Sequence, residues 1–409
     1  MLKNKRKSEV IAGMTKEDTD IIHQRNNPSS SAVTFVFSTF EGVNRGARSF
    51  SFRHLLLDLD ANIVYIKDRS NQWYNRGILG VGSDLSSTII SLKGIIESFG
   101  YTEVRCTGTS MGGYAAILFG NEIGAESILA FSPQTFLAPP YPRYNRSLHE
   151  GEYLDLSRNI ASPVAKTRII VGEDELFDLF GVARLPFWRH IDLQIVRAGT
   201  HMIPRFLHDA GVFKGTLVNL ATTGEFSDLG VERSDLNFSA VASDLCVAAE
   251  GVYGRHIGEA KNVLQHFVRA RPNWAGAHFW LGRVLEKQGI YDASAEHLEK
   301  AVELNPVMYE AASRAAQVHL KQENWSSALR CGILAWTVNK SLTGIRDRVS
   351  EAVIDLIKNG LKQENVSSQC WELLETLDVL FQREELQEHS LRSEVRELLA
   401  QRKMSDFKS

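Results

Sequence analysis

The chain has 409 residues, of which 44% are hydrophobic and 23% charged. Lys and Arg total 46, Asp and Glu total 49, and the formal net charge is −3. These proportions exclude a globally disordered chain and a collagen-like fibre, and the near-neutral balance gives no footprint for bulk nucleic-acid binding. At roughly 150 residues per domain, one to three domains are expected.

The four cysteines, Cys106, Cys246, Cys331 and Cys370, lack the close spacing of a zinc or redox motif. Reduced thiols in a cytoplasmic protein, with no metal and no cofactor, are the simpler expectation. The N-terminus MLKNKRKSEVIAGMTKEDTD is basic at first but lacks the apolar stretch of a signal peptide. No window approaches the ~18 apolar residues of a membrane span, so no integral membrane association is expected.

Residues 1–31 are polar, lack periodicity and end in NNPSSS, which predicts a flexible tail. Residues 32–221 then alternate short apolar runs with longer amphipathic stretches. The runs are Ala32–Phe37, Asn62–Asp68, Glu103–Gly108, Ser127–Ser132, Thr167–Gly172 and Asp192–Gly199, most of them closing at a turn residue. Such runs suit buried parallel strands. SSTIISLKGIIESFG (Ser86–Gly100) carries its apolar residues at helical spacing and closes at Gly100. Alternating strand and helix predicts an α/β domain with a mostly parallel sheet.

Residues 222–235 read as a polar linker, after which strand signals disappear. In Ala275–Pro306 two helical segments meet at Gln288-Gly289. Gly282 and Ala301 sit where the helices must approach, and Leu281, Leu285, Tyr291 and Leu298 fill the space between. A shift of 34 residues aligns Ala248 with Gly282, Ile257 with Tyr291, Ala260 with Ser294, Phe267 with Ala301 and Pro272 with Pro306. Downstream, Ala316, Trp325, Ala328 and Ala335 take the corresponding places. This skeleton resembles the tetratricopeptide repeat family over about Val241–Asn339. It departs at Ser294, where the family prefers alanine, and at His278, where it prefers a large aromatic. The resemblance implies an all-α array of about three repeats over 236–342, capped by helical residues 343–409. It also implies a groove for a protein partner; self-association or bracing of the first domain are the other uses of such an array.

The chemistry-bearing motif is Gly108-Thr109-Ser110-Met111-Gly112, a G-x-S-x-G placed between a strand and a small-residue helix. A serine there projects from a sharp turn, and it needs a base and an orienting acid to become a nucleophile. Glu173-Asp174-Glu175 follows one later strand and Thr200-His201-Met202 follows the last, both on the strand edge that carries Ser110. The arrangement resembles the α/β-hydrolase family over about Ala32–Ala221, which implies a three-layer domain. The resemblance further implies Ser110 as nucleophile, His201 as general base and acid, and Asp174 as the acid on His201. Glu173, Glu175 and Asp178 compete with Asp174, and His190 and His208 with His201. The family's oxyanion hole implies the Met111 N–H and a second donor after the first strand, Phe40 with Thr39 next; no HGGG-type glycine run occurs there.

Three further loops offer substrate contacts. Arg45 and Arg48 suit an anionic or sugar group, or pair with Asp58 or Asp60. Trp73 suits stacking on a sugar, or packs under its loop. Tyr141, Arg143 and Tyr144 fall where the family places a lid; they line a polar ester site or dock onto the repeats. The implied activity is hydrolysis of a small acyl ester on a polar or glycan-like substrate. Acyl transfer, thioesterase and peptidase chemistry use the same triad. The rival reading is a catalytically idle fold that serves as a scaffold.

Overall fold

The computed structural model describes residues 19–40, 50–137, 153–159, 165–254 and 256–338, with a few isolated positions beyond. The chain divides into two compact units, one ending at Glu259 and the other beginning at Ala260.

The first unit is built on seven strands: β1 (Ile21–Arg25), β2 (Ala32–Phe37), β3 (Asn62–Ile66), β4 (Glu103–Thr109), β5 (Ser127–Phe131), β6 (Lys166–Gly172) and β7 (Asp192–Val196). Their order is β1-β3-β2-β4-β5-β6-β7. Only β1 is antiparallel, pairing Ile21 with Ile66 and Arg25 with Asn62. The others are parallel in register, for example Phe37 beside Gly108 and Thr109 beside Phe131. Every predicted strand is present, with ends that differ by up to three residues.

The helices are α1 (Arg53–Leu56), α2 (Leu85–Phe99), α3 (Met111–Glu122), α4 (Leu156–Asn159), α5 (Leu176–Ala183), α6 (Ile203–Asp209), α7 (Phe213–Thr223) and α8 (Phe238–Tyr253). Helix α2 is bounded as its sequence dictates, by an Asp84–Ser87 capping box and by Gly100 at φ 66°. One sheet face packs Val36, Leu129 and Ile170 against Leu56 of α1, Leu207 of α6 and Leu217 of α7. On the other face α3 lies over β4, β5 and β2, with the Phe119 and Phe37 rings stacked 5.3 Å apart. The result is a three-layer α/β domain.

Strand β1 corrects the expectation of a tail over residues 1–31. Its residues IIHQR are too polar to stand out as a buried strand, yet His23 and Gln24 are buried. Side-chain partners make this possible. His23 Nε2 meets the Tyr101 hydroxyl at 2.8 Å, and Gln24 Nε2 donates to Leu56 O at 3.1 Å. The Asn62 carboxamide ties down the turn to β2 by donating to Asn27 O and Ala32 O.

Helix α8 opens the helical part of the sequence but packs within the first unit, against α5. Tyr253 lies 5.5 Å from Phe177, Phe238 lies 5.1 Å from Trp188, and Glu250 is 3.6 Å from Arg184. The segment 222–235 is likewise no free linker, because Val196 and Arg233 form a bridge and Ser234 N–H donates to Ile195 O.

The helical pairs continue as α9 (Ile257–Ala270), α10 (Ala275–Lys287), α11 (Tyr291–Leu304), α12 (Tyr309–Lys321) and α13 (Trp325–Val338). A Cβ on Gly282 would lie 2.7 Å from Leu298 Cγ, so glycine sets the α10–α11 approach. Both departures from the repeat pattern are satisfied in place. The Ser294 hydroxyl donates to Gly282 O at 2.8 Å. His278 has Pro272 O at 3.0 Å from Nε2 and His297 Nδ1 at 3.0 Å from Nδ1. The proposed cap, 343–409, lies almost wholly outside the described residues. Among the described residues no helix is long and apolar enough to cross a membrane.

Two outcomes are expected. A chain ending after Asp235 uncovers the apolar flank of α5, at ~1.5–3 kcal/mol for each large side chain, and melts at a lower temperature than a chain ending after Glu259. Burial, with Arg25 nearby, pulls the His23 imidazole down to about 4. The folded state therefore refuses a proton that the unfolded chain accepts near 6.5, so stability is full above that pH and falls as pH drops towards 4. Urea midpoints measured between pH 7 and pH 4.5 are expected to fall less in His23→Gln than in the native chain.

Candidate active site

Ser110 stands between β4 and α3 with φ 55° and ψ −117°, a strained conformation for a side-chain-bearing residue. Its surroundings dictate this. A Cβ on Gly108 would lie 2.2 Å from Gly112 O, and one on Gly112 would lie 2.2 Å from Phe37 O. Both glycines of the motif are therefore required for the strand to turn into the helix beside β2. Ser110 N–H donates to Phe131 O at 2.9 Å, which locks the turn to β5.

His201 lies in the turn between β7 and α6. Its Nε2 is 3.1 Å from Ser110 Oγ, and its Nδ1 is 2.9 and 2.8 Å from the two carboxylate oxygens of Asp178. A carboxylate only accepts, so Nδ1 carries the proton and Nε2 is free to accept from the serine. Of the competing histidines, His190 precedes β7 and His208 falls in the last turn of α6.

The carboxylate on His201 is Asp178 and not the expected Asp174. Asp178 sits in the first turn of α5, 0% exposed, where the helix N-terminus favours a negative charge. Asp174 is buried too, and its backbone N–H donates to Gly199 O at 2.9 Å and holds the His201 turn against the end of β6. A Cβ on Gly172 would lie 2.2 Å from that same carbonyl, so the approach needs glycine. Glu173 ties the same turn from the side, accepting from the Ala198 N–H at 3.5 Å, and joins it to the later segment by accepting from Ser234 Oγ at 2.6 Å. The sequence held a signal for Asp178. It is the one charged residue within the apolar run LFDLFGVA, and a lone buried acid requires a partner.

Met111 is buried at the first position of α3, with its backbone following Ser110. Thr39 N–H donates to Ser51 Oγ at 3.1 Å and is committed to that bond. The Phe40 ring is 46% exposed, and its centroid lies 6.1 Å from that of Trp73.

Trp73 does not offer a stacking face. It is 2% exposed, and its Nε1–H donates to Gln134 Oε1 at 2.9 Å. The loop after β3 turns it inward: Asp68 accepts from the Ser70, Gln72 and Tyr74 amides, with Asn71, Trp73 and Tyr74 all at positive φ. Arg45, Arg48, Tyr141, Arg143 and Tyr144 lie outside the described residues.

One cluster elsewhere has the residue types of a metal site. Glu299, His319 and Cys331 hold their ligand atoms within 4.8 Å of one another. Arg330 and His319 already share Glu299 Oε1, at 2.5 and 2.9 Å. His319 Nδ1 is buried with no partner among the described residues to brace the ring, and the cluster is a polar network joining three helices.

The sheet, the elbow and the chain order Ser110, Asp178, His201 define an α/β-hydrolase-type domain, joined to tetratricopeptide-type helices. Residues 275–306 match the model of the tetratricopeptide repeat family. Among solved structures, a capsule O-acetyltransferase of Neisseria meningitidis serogroup A is 17% identical, covering 54% of this chain and 100% of that one at a TM-score of 0.40. An α/β serine hydrolase homologue from Coxiella burnetii is 13% identical, over 55% and 98% of the two chains, at 0.30. A peroxisomal α/β-hydrolase from Saccharomyces cerevisiae is 13% identical, over 55% and 86%, at 0.29. A comparison with curated proteins finds no match.

The two acids are separable by substitution. Asp178→Asn is expected to slow acylation of Ser110 by roughly 10³–10⁴-fold, because the amide imposes the wrong imidazole tautomer. Asp174→Asn keeps its backbone anchor and is expected to react within a few-fold of the native chain. Rates of fluorophosphonate labelling measure both.

Proposed function

We propose that the first unit is a serine hydrolase that cleaves a small acyl ester through an acyl-enzyme. The observation that carries this reading is the unbroken contact line from Asp178 through His201 to Ser110 at a strained elbow. Ser110 Oγ attacks the ester carbonyl while its proton passes to His201 Nε2. Asp178 stabilises the imidazolium, and the Met111 and Phe40 amides donate to the developing oxyanion. Collapse expels the alcohol, which takes the proton from His201. Water, deprotonated by the same nitrogen, then attacks the acyl-enzyme and releases the acid. A hydroxyl in place of that water gives acyl transfer with the same residues. No step uses a metal or an organic cofactor.

The helical array recruits a protein partner in this reading. Arg283, Arg314 and Lys321 lie 3.8, 3.6 and 2.8 Å from the single buried carboxylate of Glu286. These contacts tie α12 to α10.

Ser110→Ala and His201→Ala are each expected to abolish fluorophosphonate labelling and to lower hydrolysis of 4-nitrophenyl acetate by at least ~10³-fold. A folded native chain that is neither labelled nor active overturns the enzymatic reading and leaves the scaffold.

A further inference from the structure

Gln134 follows β5 through Pro133. Its backbone N–H donates to Ser110 O at 3.3 Å. A Cβ on Gly113 would lie 3.0 Å from Pro133 Cα, so this segment runs against the first turn of α3. Its side chain meets Trp73, which comes from the loop after β3. In the sheet, β2 and β4 lie between β3 and β5. The Trp73–Gln134 bond therefore spans the ends of the two strands that lead to Phe40 and to Ser110-Met111.

The indole N–H can only donate, so it fixes the Gln134 carboxamide with Oε1 towards Trp73 and Nε2 turned away. Gln134 is 3% exposed, and no described residue accepts from its Nε2. The carboxamide is thus held in one orientation on a segment bonded to the Ser110 carbonyl, and with nothing among the described residues to receive it, its Nε2 is left for an acceptor from outside.

We propose that Gln134 is a substrate-positioning residue of this site. Its Nε2 donates to an oxygen of the bound ester other than the scissile carbonyl, and so selects oxygen-bearing esters over hydrocarbon ones. The proposal rests on the reading of Ser110 as the nucleophile. It makes Trp73 a positioning residue that acts through Gln134, in place of the direct substrate contact expected of it.

The test uses full-length protein and two isosteric substrate pairs. On the acyl side, 4-nitrophenyl methoxyacetate is compared with 4-nitrophenyl butyrate; on the alcohol side, 2-methoxyethyl acetate with butyl acetate. Each pair exchanges one ether oxygen for a methylene. In Gln134→Leu the oxygen-to-methylene ratio of kcat/KM is expected to fall about tenfold in one pair, chiefly through KM. Trp73→Phe frees the amide to rotate and is expected to lower the same ratio less. Ratios unchanged in both pairs overturn the proposal, whether or not the overall rates fall, because a structural brace alone slows all esters alike. The failure of the underlying reading looks different: native protein that neither turns over any ester nor labels with fluorophosphonate.

Discussion

The first unit depends on how closely the main chain passes itself at the C-terminal ends of its strands. At β4 the carbonyls of Phe37 and Gly112 stand where any Cβ on Gly112 or Gly108 would have to be. At β6 the Gly199 carbonyl stands where a Cβ on Gly172 would be. These two approaches pull the Ser110 turn onto β2 and the His201 turn onto β6. With both loops fixed on rigid elements, a 3.1 Å contact between side chains 91 residues apart follows. Positioning of this quality is the main part of what a hydrolytic site asks of its fold.

Strain accompanies that placement. Ser110, Ser132 and Ala198 have positive φ, and they end β4, β5 and β7 in turn. Each non-glycine residue held there costs of order 1–3 kcal/mol unless its surroundings impose it. Here the imposing bonds are visible: Ser110 N–H to Phe131 O, Ser132 N–H to Ile170 O and Gly199 N–H to Val196 O. The Ser132 hydroxyl is also buried without a partner among the described residues. Unfavourable terms thus gather along the strand edge that holds the serine, while the two sheet faces are conventionally apolar.

Much of this was legible in the sequence, for physical reasons that also explain the misses. Parallel strands buried on both faces read as continuous apolar runs, and all six appeared. The elbow was legible because glycine at both flanks answers a steric demand that no other residue meets. Strand β1 was illegible because its buried polar groups are paid for by partners far along the chain, Tyr101 and Leu56. The family resemblance implies Asp174 over Asp178, yet what decides is direction. A backbone bonded to Gly199 commits Asp174 to holding the turn, whereas the first turn of α5 delivers Asp178 to His201. Trp73 packs under its loop, the second of the two uses open to it, because positive φ at Asn71, Trp73 and Tyr74 and the amide bonds to Asp68 turn it inward, and no propensity scale registers that. The helical half was legible by its period, but not the fact that α8 packs with the hydrolase-type unit.

The energetics of the Asp178–His201 pair bear on whether such a unit is a working enzyme or a platform. Asp178 is 0% exposed, in a helix whose Leu176, Phe177, Leu179 and Phe180 are buried as well. An apolar residue at this position would stabilise the helix packing without any need to desolvate a carboxylate. The acid gains its compensation from the helix N-terminus and from a histidine whose other nitrogen points at a strained serine. In the proposed reading that combination serves proton transfer rather than the carrying of partners. The buried carboxylate fixes one tautomer, the tautomer aims a lone pair at Ser110, and the low polarity around the pair strengthens both effects.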